Sequence, residues 1–236
     1  MSRAFEVLDV RQTAMGELML RRRLEPSLQI DVWEVKLGDE FLMSSQFTAT
    51  EEAVASLALA RVTGDHLAVL VGGLGLGCTA AMALQDDRVK SLVVVDALAE
   101  VIEWHHRRLF PLSATLTADD RSELVHDDFF AMVAEGRRPS RDASEQFDAV
   151  LVDIDHTPSH LLDASHASFY RPDGLRQLRA LLRPGGVFSL WSDDPPDDDF
   201  VAILRSVFAD VTAEVVSFPN HYTGGESACT VYLSTA

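Results

Sequence analysis

The sequence is poor in positive charge. Its 236 residues include 20 lysines and arginines against 37 aspartates and glutamates, so the formal net charge is −17. Such a chain repels the phosphates of DNA and RNA, and we therefore expect no nucleic-acid partner. It attracts cations, including polyamines, although many proteins carry an excess of acids simply to stay in solution.

Long apolar runs and paired cysteines are also missing. No apolar run approaches the roughly 20 residues needed to cross a bilayer, and the first residues lack the apolar centre of a signal peptide. Only Cys78 and Cys229 are present, so the sequence contains no disulfide framework. We expect no membrane association and a cytoplasmic location, where cysteines stay reduced.

The most informative stretch is LAVLVGGLGLGCT, at residues 67–79. Residues 67–71 form an unbroken apolar run, which is typical of a strand buried on both faces of a parallel sheet. Gly73, Gly75 and Gly77 follow, and a helix-favouring segment comes next. Strand, glycine turn and helix start make the first half of a nucleotide-binding βαβ unit. We predict that the three glycines bring the backbone close to a nucleoside.

Strand-like and helical segments alternate from residue 67 to the end. This alternation predicts an α/β fold with an open, Rossmann-like, doubly wound and mostly parallel sheet of seven strands. Ahead of it, residues 16–43 predict a small antiparallel sheet, and residues 1–12 a loosely held terminus. We divide the chain into a small N-terminal β-strand region, residues 1–49, and a nucleoside-binding catalytic domain, residues 50–236.

A helix is predicted at the start of the second region, at residues 50–60. Thr50 is a suitable N-cap for it. Glu51 and Glu52 then fall in the first turn, where acidic side chains interact favourably with the helix dipole.

Neither the histidines nor the acidic run at residues 193–199 predicts a metal site. His156 and His160 are four apart, but Pro158 between them opposes the helix that would put both on one face. The acidic run lacks the spacing of a calcium-binding loop. We predict instead a solvated loop that caps the following helix.

Acidic residues follow three of the predicted strands. In doubly wound sheets ligands bind beyond the carboxyl ends of the strands, so we expect these acids to face the glycine turn. Asp96 can accept hydrogen bonds from both hydroxyls of a ribose. Asp127 or Asp128 can accept from an adenine amino group or cap the next helix, and Asp128 fits the cap better. Asp153 could hold or deprotonate an amine, or balance a cationic donor.

Taken together, these segments resemble the spermidine synthases, aminopropyltransferases with a class I methyltransferase fold. The likeness runs from about residue 16 to the end and includes SSQFTATEE, GLGLGCT, VVVDALAEVIEWHH, FDAVLVDID and FYRPDGLRQLRALLRPGG. It implies decarboxylated S-adenosylmethionine as donor, a small amine as acceptor, and a homodimer. It also implies that Asp96 holds the ribose and Asp127 lies near adenine. Asp153 would assist deprotonation of the amine, and Gln46 would reach the donor from the N-terminal region.

The chain departs from this family at positions that bind amines. Leu76 stands where the family's glycine loop has an acid for the donor's amine. Ala55 and Ser56 replace a Tyr-His pair, and His156 falls near the second diamine-binding acid. An ammonium group buried without an anion costs several kcal/mol. We therefore do not expect standard recognition of putrescine.

The leading hypothesis is a transferase that moves an aminopropyl group from an adenosyl-sulfonium donor to an amine, with non-standard acceptor recognition. The donor is decarboxylated S-adenosylmethionine or S-adenosylmethionine, and no metal is expected. Leu76 leaves open a methyltransferase that acts on a small molecule, and a non-catalytic nucleoside-binding homologue is a further alternative. An NAD-dependent oxidoreductase is disfavoured, because the loop lacks the usual G-x-G-x-x-G spacing.

Overall fold

The structure, a computed structural model, describes residues 4–139 and 146–236. Within them the chain forms two sheets. The smaller is N-terminal and antiparallel, with its strands in chain order: β1 (Phe5–Thr13), β2 (Gly16–Glu25), β3 (Ile30–Leu37) and β4 (Glu40–Ser44). The predicted N-terminal sheet is confirmed. The division of the chain into two units at residue 49 stays a prediction.

In the described part of the chain the main sheet has seven strands, in the order β10-β11-β9-β8-β5-β6-β7. They are β5 (Leu67–Gly72), β6 (Val89–Asp96), β7 (Ser122–His126), β8 (Phe147–Val152), β9 (Leu182–Ser192), β10 (Asp210–Asn220) and β11 (Gly225–Thr235). Strands β5 to β9 are parallel, and β10 and β11 form an antiparallel hairpin at one edge. The predicted seven-stranded, mostly parallel sheet is confirmed.

Helices cover both faces of this sheet, because its central strands are apolar on both sides. In β5, Val69 and Val71 face one core while Leu70 faces the other. The helices are α1 (Ala49–Arg61), α2 (Cys78–Leu84), α3 (Ala99–His106), α4 (Leu112–Ala118), α5 (Phe129–Ala134), α6 (Pro172–Arg179) and α7 (Asp198–Arg205). Helices α1 to α4 and the N-terminal sheet contribute to the first core, and α5 to α7 contribute to the second. No helix in residues 4–139 and 146–236 is long and apolar enough to span a bilayer.

The prediction of a loosely held terminus at residues 1–12 is wrong from Phe5 onward. These residues form β1, which pairs with β2 over most of its length. Glu6 lies opposite Arg22, and the two side chains form an ion pair at 2.9 Å. Oδ2 of Asp9 accepts hydrogen bonds from Nε1 of Trp104 at 2.9 Å and from Arg107 at 2.8 Å. The strand is therefore fixed both to its own sheet and to the region of α3.

The carboxyl ends of β5, β6 and β8 meet at one edge of the sheet, because β5 lies between the other two strands in parallel register. The backbone N–H of Gly73 donates to the carbonyl of Val95, and that of Asp153 donates to the carbonyl of Gly72, both at 2.9 Å. Gly73 has a φ of +94°, and a Cβ on it would collide with the carbonyl oxygen of Asp153. Only glycine fits where the turn after β5 crosses the end of β8.

We predict that Gly73→Ala destabilises the protein more than Gly185→Ala does. Gly185 also has a positive φ, +79°, but a Cβ there would meet nothing within 4 Å. The positive φ alone should lower the free energy of unfolding by about 1 to 2 kcal/mol. The collision at Gly73 should add about 1 to 3 kcal/mol. Urea unfolding of both variants measures the difference, and equal losses would contradict the steric explanation.

Candidate functional site

A cavity of about 510 Å³ lies at the carboxyl ends of the parallel strands, beneath the N-terminal sheet. Its wall combines strand ends, the glycine turn, the start of α1 and the loop that follows β8. Lining residues from these parts include Met43, Phe47, Glu51, Gly73, Gly75, Thr79, Asp96, Asp128, Phe130, Asp153, His166 and Trp191.

Two of the three predicted glycines reach the wall. Gly73 and Gly75 line the cavity, and a Cβ on Gly75 would collide with the sulfur of Met43. Gly77 is not among the described residues that line it; a Cβ there would meet Leu116 and His105 behind the turn. All three glycines therefore serve the close packing of the turn, and Gly73 and Gly75 also bring its backbone to the cavity wall.

Asp96 lies at the end of β6 and faces the cavity as expected. Its Oδ2 accepts from the N–H of Leu74 at 2.9 Å, and its Oδ1 accepts from the N–H of Leu98 at 2.8 Å. Burial raises the pKa of this carboxyl, although the backbone hydrogen bonds act in the opposite direction. Each carboxylate oxygen can accept a further hydrogen bond, so a ribose diol can bind on the cavity side.

The two neighbouring aspartates after β7 have different positions. Oδ1 of Asp128 accepts from the N–H of Ala131 at 3.0 Å, which caps α5, and Asp128 also lines the cavity. Asp127 forms an ion pair with Arg137, which lowers the pKa of the carboxyl, and it is not among the described lining residues. The cap predicted for Asp128 is confirmed, and the nucleoside contacts of both residues stay predictions.

Gln46 is held away from the cavity wall by the C-terminal hairpin. Its Oε1 accepts from Arg23 at 2.5 Å and from the hydroxyl of Tyr222 at 2.8 Å, while its Nε2 lies 2.7 Å from Nε2 of His221. The neighbouring Phe47 lines the cavity and packs against His221 and Tyr222. In this structure Gln46 supports the rim, and its predicted donor contact remains untested.

Asp153 lies in the cavity wall beside α1, and the hydroxyl group of Thr79 links the two. Oγ1 of Thr79 lies 3.0 Å from Oδ2 of Asp153 and 3.1 Å from the carbonyl oxygen of Glu51. Because α1 begins at Ala49, Glu51 lies within its first turn and lines the cavity. The prediction of Thr50 as N-cap is wrong, since the cap position falls on Thr48.

The carboxyl groups of Glu51 and Asp153 are crowded. Burial, followed by the charge of Asp153, raises the pKa of Glu51 to about 8. Burial also raises the pKa of Asp153 to about 6, although its hydrogen bond from Thr79 acts in the opposite direction. Two nearby carboxylates disfavour each other's ionisation, so this end of the cavity favours either a proton or a cationic ligand.

Asp193 adds a third acid to this part of the cavity. It belongs to the acidic run 193–199 and is exposed, as predicted for a solvated loop, but it also follows the end of β9 and lines the cavity, which was not predicted. Its charge also raises the pKa of Glu51. The position after a parallel strand was the available signal. The predicted cap is confirmed further along, where Asp197 accepts from the N–H groups of Asp199 and Phe200.

Of the four positions that depart from the spermidine synthases, one belongs to the described lining of the cavity. The side chain of Leu76 is 2% exposed in the core and is not among the described residues that line the cavity. Ala55 is buried, Ser56 is exposed, and neither belongs to the described lining. His156 does line the cavity. The side chain of Leu76 therefore does not decide how the cavity receives an amine, and Glu51 supplies an acid that the sequence comparison missed.

The lining residues have one sign of charge. Among the described residues they include six carboxylates and neither lysine nor arginine; the acids are Glu51, Asp96, Asp128, Asp153, Asp163 and Asp193. The same described ranges contain no group of three or more His, Cys, Asp or Glu side chains that could hold a metal ion. A cavity with this lining favours a cation and repels a phosphate.

No family model matches the chain. The polyamine aminopropyltransferase of Prochlorococcus marinus (strain MIT 9313) is 30% identical to it over 145 residues. That match covers 59% of this chain and 47% of the relative, so the chain spans about half the length of the curated relative it matches.

Two spermidine synthase crystal structures are similar to this protein over 97% of its chain. One, in complex with the transition state analogue AdoDATO, has a TM-score of 0.74 and 18% identity, and 73% of its chain is covered. The other, from Thermotoga maritima, has a TM-score of 0.73 and 17% identity, with 72% covered. The likeness to these structures confirms the predicted fold of class I methyltransferase type. With the sequence match, it supports the resemblance to the spermidine synthases.

We predict that Glu51→Gln is more stable than the wild type at pH 8 and no more stable at pH 4.5. A pKa raised from the ordinary 4.5 to about 8 means that the folded protein binds this proton more tightly than the unfolded chain. The free energy of unfolding therefore falls as the pH rises through this range, and the variant lacks that loss. Urea unfolding at both pH values tests this, with the exposed Glu123→Gln as control. A variant less stable than the wild type at pH 8 would contradict it.

Proposed function

We propose that the protein is a spermidine synthase-like aminopropyltransferase. It would transfer an aminopropyl group from decarboxylated S-adenosylmethionine to a small amine. The observation that carries this proposal is the charge of the cavity, which is lined by six carboxylates and by no lysine or arginine among the described residues. The donor is a sulfonium cation with an ammonium group, and the acceptor amine is cationic before it reacts, so both fit such a lining.

The donor's nucleoside would bind at the glycine turn. Gly73 and Gly75 place the backbone of the turn in the cavity wall, and Asp96 can accept hydrogen bonds from the ribose hydroxyls. The sulfonium and its aminopropyl chain would extend from there towards the acidic end, formed by Glu51, Asp153 and Asp193.

The lack of cationic side chains also bears on the form of the donor. S-adenosylmethionine carries a carboxylate beside its amino group, and that carboxylate would enter an acidic cavity without a lysine or arginine to pair with. The decarboxylated molecule has only the ammonium group at this position. The same charge argument opposes NAD, whose pyrophosphate is dianionic. We therefore favour aminopropyl transfer over methyl transfer.

The chemistry is a displacement at carbon. The lone pair of the neutral acceptor amine attacks the carbon beside the sulfonium. The carbon–sulfur bond breaks with both electrons going to sulfur, and methylthioadenosine leaves. The lone pair becomes available when the bound acceptor ammonium loses one proton to the Asp153 carboxylate, and the product nitrogen keeps its positive charge. With a pKa of about 6, Asp153 is ionised at neutral pH and can take that proton from the acceptor.

Glu51 and Asp193 would hold the cationic amines before transfer. The proton on Glu51, whose pKa is about 8, would be displaced when an ammonium group binds beside it. Glu51 and Asp193 would thus take the role of the acid that the spermidine synthases have at the position of Leu76. Cytoplasmic location and a homodimer stay predictions.

We predict that incubation with decarboxylated S-adenosylmethionine and a diamine releases methylthioadenosine. Incubation of the same enzyme with S-adenosylmethionine should release no S-adenosylhomocysteine. Asp153→Asn should lower kcat by about 100-fold or more, because the general base is lost, with an unchanged thermal unfolding curve as the control for folding. Chromatography of the nucleoside products measures both. Release of S-adenosylhomocysteine would favour methyl transfer, and release of neither nucleoside would favour a non-catalytic homologue.

A further inference from the structure

One buried histidine of the cavity wall has no role in the proposed transfer. His166 lies in the 3-10 helix Ala164–Ser168, is 7% exposed and lines the cavity. Its Nδ1 lies 2.8 Å from Oδ1 and 3.1 Å from Oδ2 of Asp155. A carboxylate only accepts hydrogen bonds, so Nδ1 carries the proton. In the neutral imidazole, Nε2 then has a free lone pair.

The orientation of this imidazole is fixed on two sides. Asp155 is 2% exposed and also accepts from the N–H of Leu162 at 2.7 Å and from the hydroxyl of Tyr170 at 2.8 Å. Burial raises the pKa of Tyr170 well above its ordinary value, so its hydroxyl stays a donor. The ring of Phe130 lies against the imidazole, with centroids 4.0 Å apart and planes 31° from parallel.

Nε2 is directed to the open cavity. It lies on the edge of a ring whose face contacts Phe130, so that contact does not cover it. In residues 4–139 and 146–236, Nε2 has no hydrogen-bond partner. Part of its surface is accessible, since it does not belong to the fully buried polar atoms without a partner. A buried histidine with one nitrogen fixed and the other facing a cavity is suited to recognise a ligand.

The topology indicates which part of the ligand it meets. In the proposed function the ribose binds at Asp96 after β6, and the reacting groups lie towards Asp153 after β8. The base must therefore extend in the opposite direction, towards β7 and the start of α5. Phe130 belongs to α5, and His166 packs on it. Asp128, which lines the cavity, caps the same helix.

We propose that Nε2 of His166 accepts a hydrogen bond from the exocyclic amino group of the donor's adenine, with Asp155 as the positioning residue. The inference rests on the proposed function, because it takes the nucleoside pose from it. It makes the protein selective for 6-amino purines. A 6-oxo purine places a carbonyl oxygen opposite the lone pair of Nε2, and two acceptors repel each other.

Calorimetric binding of methylthioadenosine and of its 6-oxo counterpart, methylthioinosine, tests this. The wild type should bind the amino nucleoside about tenfold more tightly or better. His166→Phe keeps a ring against Phe130 and removes the acceptor, so the ratio of the two dissociation constants should approach one. If this variant does not fold, His166→Asn replaces it, since its amide can still donate to Asp155 but is too short to reach the base. His160→Gln, an exposed histidine of the same loop, should keep the wild-type ratio.

The outcomes separate the two proposals. A wild-type ratio near one, or a wild-type ratio retained in the His166 variants, would overturn the role of His166 and leave the proposed function intact. An equal weakening of both nucleosides would show a merely structural histidine and would also overturn it. Failure of the wild type to bind either nucleoside would overturn the proposed function, and the role of His166 with it.

Discussion

The close crossing of the glycine turn over the end of β8 is the contact on which the cavity depends. Gly73 lies so near the carbonyl of Asp153 that no side chain fits between them. Backbone hydrogen bonds join the same turn to β6 and β8, and the Asp96 carboxylate accepts from Leu74 within it. Groups from three strands are therefore held on one rigid frame. In the proposed function, such a frame would position the nucleoside and the acceptor amine without further ordering of the chain.

The second constraint is electrostatic. The acidic end concentrates Glu51, Asp153 and Asp193 with no lysine or arginine among the described lining residues. Burial raises the pKa of Glu51 and of Asp153, and the charges of neighbouring acids raise that of Glu51 further. The arrangement destabilises the empty protein at neutral pH, because the folded protein holds a proton on the buried Glu51 that the unfolded chain would release. A bound cation would offset that cost, and its stabilisation of the folded state grows with the logarithm of its concentration once that exceeds the dissociation constant. The free energy of unfolding is thus reduced at the place where the proposed function needs a cationic ligand.

Local patterns in the sequence were sufficient for the sheet and for part of the cavity wall. The glycine turn and the strand-end positions of Asp96 and Asp153 could be predicted because strand, turn and helix follow one another within a few residues. The direction in which a side chain points could not be predicted from such patterns. Glu51 faces the cavity from the first turn of α1 because of how that helix packs on the sheet, and Leu76 points into the core although it lies within the turn. His166 and Asp155 belong to a loop whose sequence has no periodicity, so no pattern in the sequence predicted their contact.

In the proposed function, the cavity selects a cationic adenosyl donor without a carboxylate. Calorimetric titration of the wild type with decarboxylated S-adenosylmethionine and with S-adenosylmethionine tests it most directly, because binding does not depend on the identity of the acceptor. The decarboxylated donor should bind at least about tenfold more tightly, since the carboxylate of the other has no cationic side chain to pair with. Equal or tighter binding of S-adenosylmethionine would contradict this selectivity of the cavity.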